Sequence, residues 1–273
     1  MTNKEENNGG AERIAYEKQR KELNQSLKYA SYIQRALLPD KTIIDRYFPE
    51  NLLIYIPRDI VSGDFYWALR KKNRYYLAVA DCTGHGVPGA FMSILGISFL
   101  NQITDRHDCT SAAMVLNLMR EYVMKALQQT GREHEQKDGI DMAFCLIDTD
   151  TNQLQFAGAF NPLYVVRKDS SLTEVGGDKM PIGVAPDEER SFTNHRIQLE
   201  KGEMVYLFSD GFVDQFGGPE GKKFKYAPFR KLLQSVSQKP VKEQSDILKT
   251  TFLKWKDNYA QLDDVLVFGF RYS

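Results

Sequence analysis

Cysteine is scarce in this sequence of 273 residues: Cys82, Cys109 and Cys145 are the only three, and no two of them form a CxxC pair. An odd, unpatterned set excludes a disulfide-stapled scaffold and points to a reducing cytosol. Surplus charge is lacking too. The 36 Lys plus Arg balance 36 Asp plus Glu, so no overall field draws the chain to nucleic acid or to an anionic membrane. The lysine patch at Lys222, Lys223 and Lys225 reads as a solvated face. The opening MTNKEENNGG has no apolar signal core, and no uninterrupted apolar run reaches the length of a membrane span. These absences leave a cytoplasmic protein without a membrane or nucleic-acid partner, while 42% hydrophobic residues allow one sizeable core.

Proline and glycine are missing from 11–38, where Tyr16, Leu23, Ala30 and Leu37 recur at heptad spacing with Leu27 between them. The pattern predicts a helix ended by Pro39. Arg20 and Gln34 fall on the same seam and weaken it as a coiled coil, so the helix either docks on the rest of the chain or pairs with a second copy as a homodimer. Residues 1–10, polar and glycine-ended, are expected to be a disordered start. Residues 11–40 then form a linker or regulatory helix, and 48–273 the main domain. Within it, the runs 52–56, 65–69 and 75–80 read as strands, and 90–103 and 111–129 as consecutive helices. Strands follow at 141–147, 153–157, 163–167, 192–199 and 204–209, then helices at 228–235 and 241–259 and a last strand at 265–272. Elements in blocks rather than in alternation predict an antiparallel α+β layered fold.

Aspartates stand at the strand ends. Asp64 opens an aromatic strand, Asp81 ends another before a glycine-rich turn, Asp210 precedes Gly211, and Asp263 and Asp264 stand before the closing strand. Each alone is an ordinary turn residue. Together they are expensive unless cations or strong partners neutralise them. An all-oxygen donor set suits magnesium or manganese rather than zinc, and two such ions supply an activated water and charge neutralisation for phosphoryl chemistry.

The segments Val61-Ser62-Gly63-Asp64-Phe65-Tyr66, Asp81-Cys82-Thr83-Gly84-His85-Gly86, Phe208-Ser209-Asp210-Gly211 and Asp263-Asp264-Val265 resemble, in order and separation, the metal-dependent protein phosphatases of type 2C. Within them the likeness is to the bacterial SpoIIE-like and RsbU-like branch. It extends over about 33–272, including Phe156-Ala157-Gly158-Ala159, Asn161-Pro162 and Met180-Pro181-Ile182-Gly183. The resemblance implies an antiparallel β-sandwich flanked by helices on both faces (αββα), two divalent cations, Mn2+ or Mg2+, and hydrolysis of a phosphoserine or phosphothreonine on a protein. The implied substrate is a phosphoprotein of the anti-anti-sigma-factor kind. Carried over, Asp81 is the bridging carboxylate, Asp210 and Asp263 complete one metal, Asp64 serves the other, and Cys82 contributes its backbone carbonyl. Asp264 is the weaker ligand candidate. Three departures, Ser62 for glycine, Trp67 for an acid and Phe160 for a polar residue, spare the metal acids and bear on substrate fit.

Other motifs have plainer readings. Gly84-His85-Gly86-Val87-Pro88-Gly89 spells GxGxxG, but a second helix follows where a nucleotide-binding unit needs a parallel strand. Cys82 lacks the arginine six residues on that a thiol phosphatase needs, since Pro88 stands there. Cys82, His85, His107 and Cys109 lack zinc spacing. His85 is a candidate proton carrier, His195 reads as a surface residue, and Arg58 is a candidate for binding substrate phosphate. The competing functional class is a catalytically weak regulatory module that keeps the fold for binding.

Overall fold

The computed structural model describes residues 5–132, 137–185 and 190–273, with side chains from residue 13 on. Helix α1, Glu5–Leu37, opens the chain. It starts well before residue 11, inside the stretch read as disordered. Gly9 and Gly10 each cost about 1 kcal/mol in a helix, but no proline bars its path; residues 1–4 lie outside the described residues. The expected heptad seam is not where α1 meets the domain: Tyr16, Leu23 and Leu37 are exposed, while Ser31 and Gln34 are buried. A short α2, Lys41–Tyr47, was not foreseen; Asp40 caps it by accepting from Thr42 N, and it buries only Ile44.

Two antiparallel sheets follow. One orders β1 (Asn51–Ile56), β12 (Val265–Arg271), β9 (Met204–Phe208), β6 (Leu163–Val166) and β7 (Leu172–Val175); the other orders β2 (Phe65–Lys71), β3 (Arg74–Cys82), β4 (Ile140–Asp148), β5 (Gln153–Ala159) and β8 (His195–Gln198). A two-stranded hairpin, β10 (Phe216–Gly217) with β11 (Lys222–Lys223), stands apart. Alternation decides the layers. Val79, Ala143, Phe156, Leu207 and Phe268 fill the space between the sheets. Ala78, Phe144 and Ala157 point the other way, against α3 (Gly86–Arg106) and α4 (Ala112–Ala126). After the single turn α5 (Gly211–Asp214), α6 (Tyr226–Val236) and α7 (Val241–Lys256) cover the far face, where they meet Tyr206, Val267 and Phe208. The fold is therefore the expected αββα sandwich.

Helix α3 corrects one expectation. By length and composition it is apolar enough to cross a membrane, although Ser93, Asn101, Gln102 and Thr104 interrupt it. Its Met92, Ile97, Leu100 and Ile103 are buried in the core beside β2 and β3, which is how a core helix uses such a composition. The three cysteines are all buried and unpaired.

Candidate metal centre

Strand register brings the acids to one end of the sandwich. Phe65 pairs with Ala80, so Asp64, one step beyond, stands opposite Asp81; Asp81 in turn pairs with Asp141. In the other sheet Ser209 N donates to Leu266 O, which carries Asp210 and the pair Asp263 and Asp264 to the same end. Asp81, Asp141, Asp210 and Asp263 line a cleft of about 340 Å³ together with the turn 82–85.

Asp64 lies beneath it, 1% exposed. Its Oδ2 accepts from Ser209 Oγ at 2.6 Å, and Ser209 Oγ accepts from Leu266 N at 3.0 Å. Oδ1 is buried without a hydrogen-bond partner among the described residues. Burial pushes this carboxyl well above the usual carboxylate range against the pull of Ser209, and Asp264, Asp263 and Asp210 push it further. Asp81 is raised in the same way, by burial and then by Asp64 and Asp210. Burial, then Asp214 and Asp263, lifts Asp210 to about 6; burial, then Asp210, lifts Asp141 to about 7. Asp263 is also raised, chiefly by burial. Carboxylates that all resist ionisation side by side, one with an orphaned oxygen, are a donor set short of positive charge. Hard divalent cations match such a set. No group of three His, Cys, Asp or Glu among the described residues already stands at metal-ligand spacing.

Asp264, the weaker ligand candidate, is a clamp. Its Oδ1 accepts from Arg58 N and its Oδ2 from Gly63 N, both at 2.7 Å, so both oxygens are engaged with the loop that carries Asp64. Asp264 N donates to Asp263 Oδ1 at 2.8 Å. The Arg58 guanidinium donates to Leu262 O at 3.0 Å, and its charge lowers the neighbouring Asp263. His85 Nδ1 stands 3.4 Å from Asp59 Oδ2 at the cleft. The 82–85 turn is held by close backbone packing: a Cβ on Gly89 would lie 2.2 Å from Gly84 O, and one on Gly63 2.8 Å from Gly84 O and 3.2 Å from Cys82 O. Only glycine permits that approach. The Cys82 side chain is buried in the core, and burial followed by Asp81 pushes its thiol far up, which disfavours the thiolate a nucleophile needs.

Two of the three sequence departures also prove to be interior. Trp67 stacks on Phe144 and donates to Asn101 Oδ1. Ser62 is fully buried, and its partner is the residue that sequence reasoning took for a flaw in a seam. Gln34 of α1 donates from Nε2 to Ser62 O (2.5 Å) and Ser93 Oγ (2.8 Å), and accepts from Ser62 N at Oε1 (3.1 Å). Asp141 was also missed as a site residue; the only available signal was an acid opening an apolar strand, and its meaning depends on register with Asp81. His195 is partly buried, its ring 6.0 Å from Phe156.

Comparison with known proteins accords with this geometry. The family model described as stage II sporulation protein E (SpoIIE) matches residues 71–273. The phosphoserine phosphatase RsbU of Bacillus subtilis (strain 168) is 25% identical over 197 residues, which cover 71% of this chain and 55% of that protein; the chain thus spans about half the length of this curated relative. The SiaA-PP2C domain of Pseudomonas aeruginosa superposes with a TM-score of 0.84 at 30% identity, over 93% of this chain and 98% of that one. The PP2C phosphatase domain of Bacillus subtilis SpoIIE shares the fold at a TM-score of 0.64 and 18% identity, over 81% of this chain and 62% of that one.

Proposed function

The chain belongs to the SpoIIE family, and on that premise we propose that it is a metal-dependent serine/threonine protein phosphatase acting on a phosphorylated regulatory protein. One observation carries the reading: Asp64 is buried among acids with an oxygen that nothing among the described residues satisfies. Asp64, Asp81, Asp210, Asp263 and the Cys82 carbonyl would hold two divalent cations, Mn2+ or Mg2+. When bound, these supply Lewis acidity and an activated water for direct attack on phosphorus. Asp81, beside both Asp64 and Asp210, would be the carboxylate shared between the cations. Ser209 and Asp264 orient the donors from behind, as supporting hydrogen bonds do in metal sites. Arg58 would lend positive charge to the arriving phosphate, and His85, which lines the cleft with Nδ1 3.4 Å from Asp59 Oδ2, is the candidate proton carrier.

Helix α1 is the regulatory element of this reading, because Gln34 ties it both to the Asp64 loop and to α3. Its exposed Tyr16 and Leu23 would form the contact in a homodimer. RsbU is a phosphoserine phosphatase by name, which supports a phosphoserine protein, of the anti-anti-sigma-factor kind, as substrate; three buried thiols fit a reducing cytoplasm. The test is calorimetric Mn2+ titration with Mn2+-dependent hydrolysis of a phosphoserine peptide, on the wild type and on Asp210→Asn. Binding and turnover that both fail in the variant support the reading. A wild type that binds Mn2+ without turnover favours the regulatory module instead.

A further inference from the structure

Between α1 and the loop that leads to Asp64 runs a trough. One stretch, about 440 Å³, is lined by Lys28, Tyr32 and Arg35 of the helix and by Pro57, Asp59 and Ile60 of the loop. The next, about 430 Å³, shares Arg35 and Pro57 and continues past Leu38 to Tyr55 and Tyr66. The trough adjoins the acid cleft. Asp59 stands in its wall with Oδ2 3.4 Å from His85 Nδ1, and His85 lines the cleft.

Positive charge in this trough is left unneutralised. Lys28 and Arg35 make no hydrogen bond or ion pair among the described residues. Acids three or four positions away usually partner a helical cation, and neither has one: Lys28 has Asn24, Gln25, Ser31 and Tyr32 there, and Arg35 has Ser31, Tyr32, Leu38 and Pro39. The other charges along the trough are engaged. Asp59 lies 3.9 Å from Arg58 Nε as well as beside His85. Asp40 accepts from Thr42 N and Oγ1, and Lys41 pairs with Asp45 at 2.7 Å.

The two free cations stand seven residues apart, nearly two turns, and so share one face of α1 at a separation of about 10 Å. Three residues of extended peptide, at about 3.3 Å each, span that distance. Tyr16 and Leu23 lie about 100–140° round the helix from them. A homodimer joined through those two residues therefore leaves the trough open.

We propose that the trough docks an acidic segment of the phosphoprotein substrate, with Lys28 and Arg35 as specificity-determining residues that pair with its carboxylates while the phosphoserine occupies the adjoining cleft. Charge complementarity selects the segment, and continuity through Asp59 and His85 ties its binding to the reaction. The proposal rests on the phosphatase reading.

The test measures kcat/KM with Mn2+ on p-nitrophenyl phosphate and on three phosphoserine peptides whose flanks are rich in Glu, Gln or Lys. Wild type should favour the Glu peptide over the Gln peptide about fivefold, the scale of two solvent-exposed ion pairs. The difference should lie in KM and should vanish in high salt, which screens such pairs. The ratio should fall to about one when Lys28→Gln is combined with Arg35→Gln, and Lys28→Glu with Arg35→Glu should favour the Lys peptide. A wild-type ratio of one, a wild-type preference for the Lys peptide, a Glu preference that survives the Gln substitutions, or turnover of p-nitrophenyl phosphate without turnover of any peptide overturns the docking alone. A ratio of one joined by a dimer that the Glu substitutions dissociate in sedimentation gives the trough to a second copy of the chain instead. A wild type that hydrolyses nothing, p-nitrophenyl phosphate included, overturns the phosphatase reading and the docking with it.

Discussion

Replacing Asp64 by Asn should make the metal-free protein more stable, the opposite of what a buried structural acid would show. Ser209 can still donate to the amide oxygen. The substitution removes a charge that burial and three neighbouring acids disfavour, a gain of several kcal/mol at pH 8. Against it stands one buried amide donor where the orphaned Oδ1 was, a loss of about 1–3 kcal/mol. The net is a stabilisation of about 1–3 kcal/mol, or about 2–12 °C in Tm for a domain of this size. Thermal unfolding at pH 8 in chelator, followed by the same scan in saturating Mn2+, reads both halves. In chelator the Asp64→Asn variant should melt higher than the wild type; in Mn2+ the order should invert, because only the wild type gains binding energy from the metal. A variant that melts lower in chelator and keeps a full Mn2+ shift would refute the reasoning.

Three further outcomes follow from the same geometry. Asp141 and Asp210 titrate near 7 and 6 when folded, above the ordinary 3.8, so between about pH 4 and 7 the native chain holds more protons than the unfolded one. Metal-free stability should fall as pH rises through that window, by up to about 1.4 kcal/mol per unit and group; a Tm that climbs with pH in chelator contradicts this. Asp264→Asn leaves one of two backbone donors facing an amide instead of an oxygen and should cost about 2–4 kcal/mol in urea unfolding, whereas Asp263→Asn should abolish Mn2+ binding with little loss of stability; equal behaviour of the two would remove the clamp. Gln34→Leu removes three hydrogen bonds and strands the buried Ser62 N and O, while Ser93 Oγ keeps Ala90 O; it should lower stability by about 2–4 kcal/mol and weaken Mn2+ binding in calorimetry, and unaltered binding would separate α1 from the metal loop.

What the sequence made legible was whatever depends on local pattern. Apolar runs gave the long strands and α3, α4 and α7 to within a few residues, and the glycine and aspartate contexts gave the acid row. What escaped depends on distant pairing. Asp141 carries no turn signal of its own and matters because β4 lies beside β3 in register. Gln34 looked like a fault in a heptad because its partners, Ser62 and Ser93, are far along the chain. Asp263 and Asp264 are alike in sequence and adjacent, yet one faces the cleft and the other turns back to Arg58 and Gly63; strand alternation separates them only once the strand boundary is known. Helix α2 was too short, with a single buried residue, to leave a periodic trace.

The position of β12 sets an order of events during synthesis. This strand is made after every other strand of the two sheets, yet it lies between β1 and β9, paired with both, and the two residues before it are a cleft acid and the clamp on the Asp64 loop. A ribosome-bound chain still lacking residue 263 has an open slot in the middle of one sheet and an unfastened first acid. The proposed cation site is thereby completed only once this segment has been made, and fragments cut short upstream of it should emerge without that site, however well their other sheet has formed.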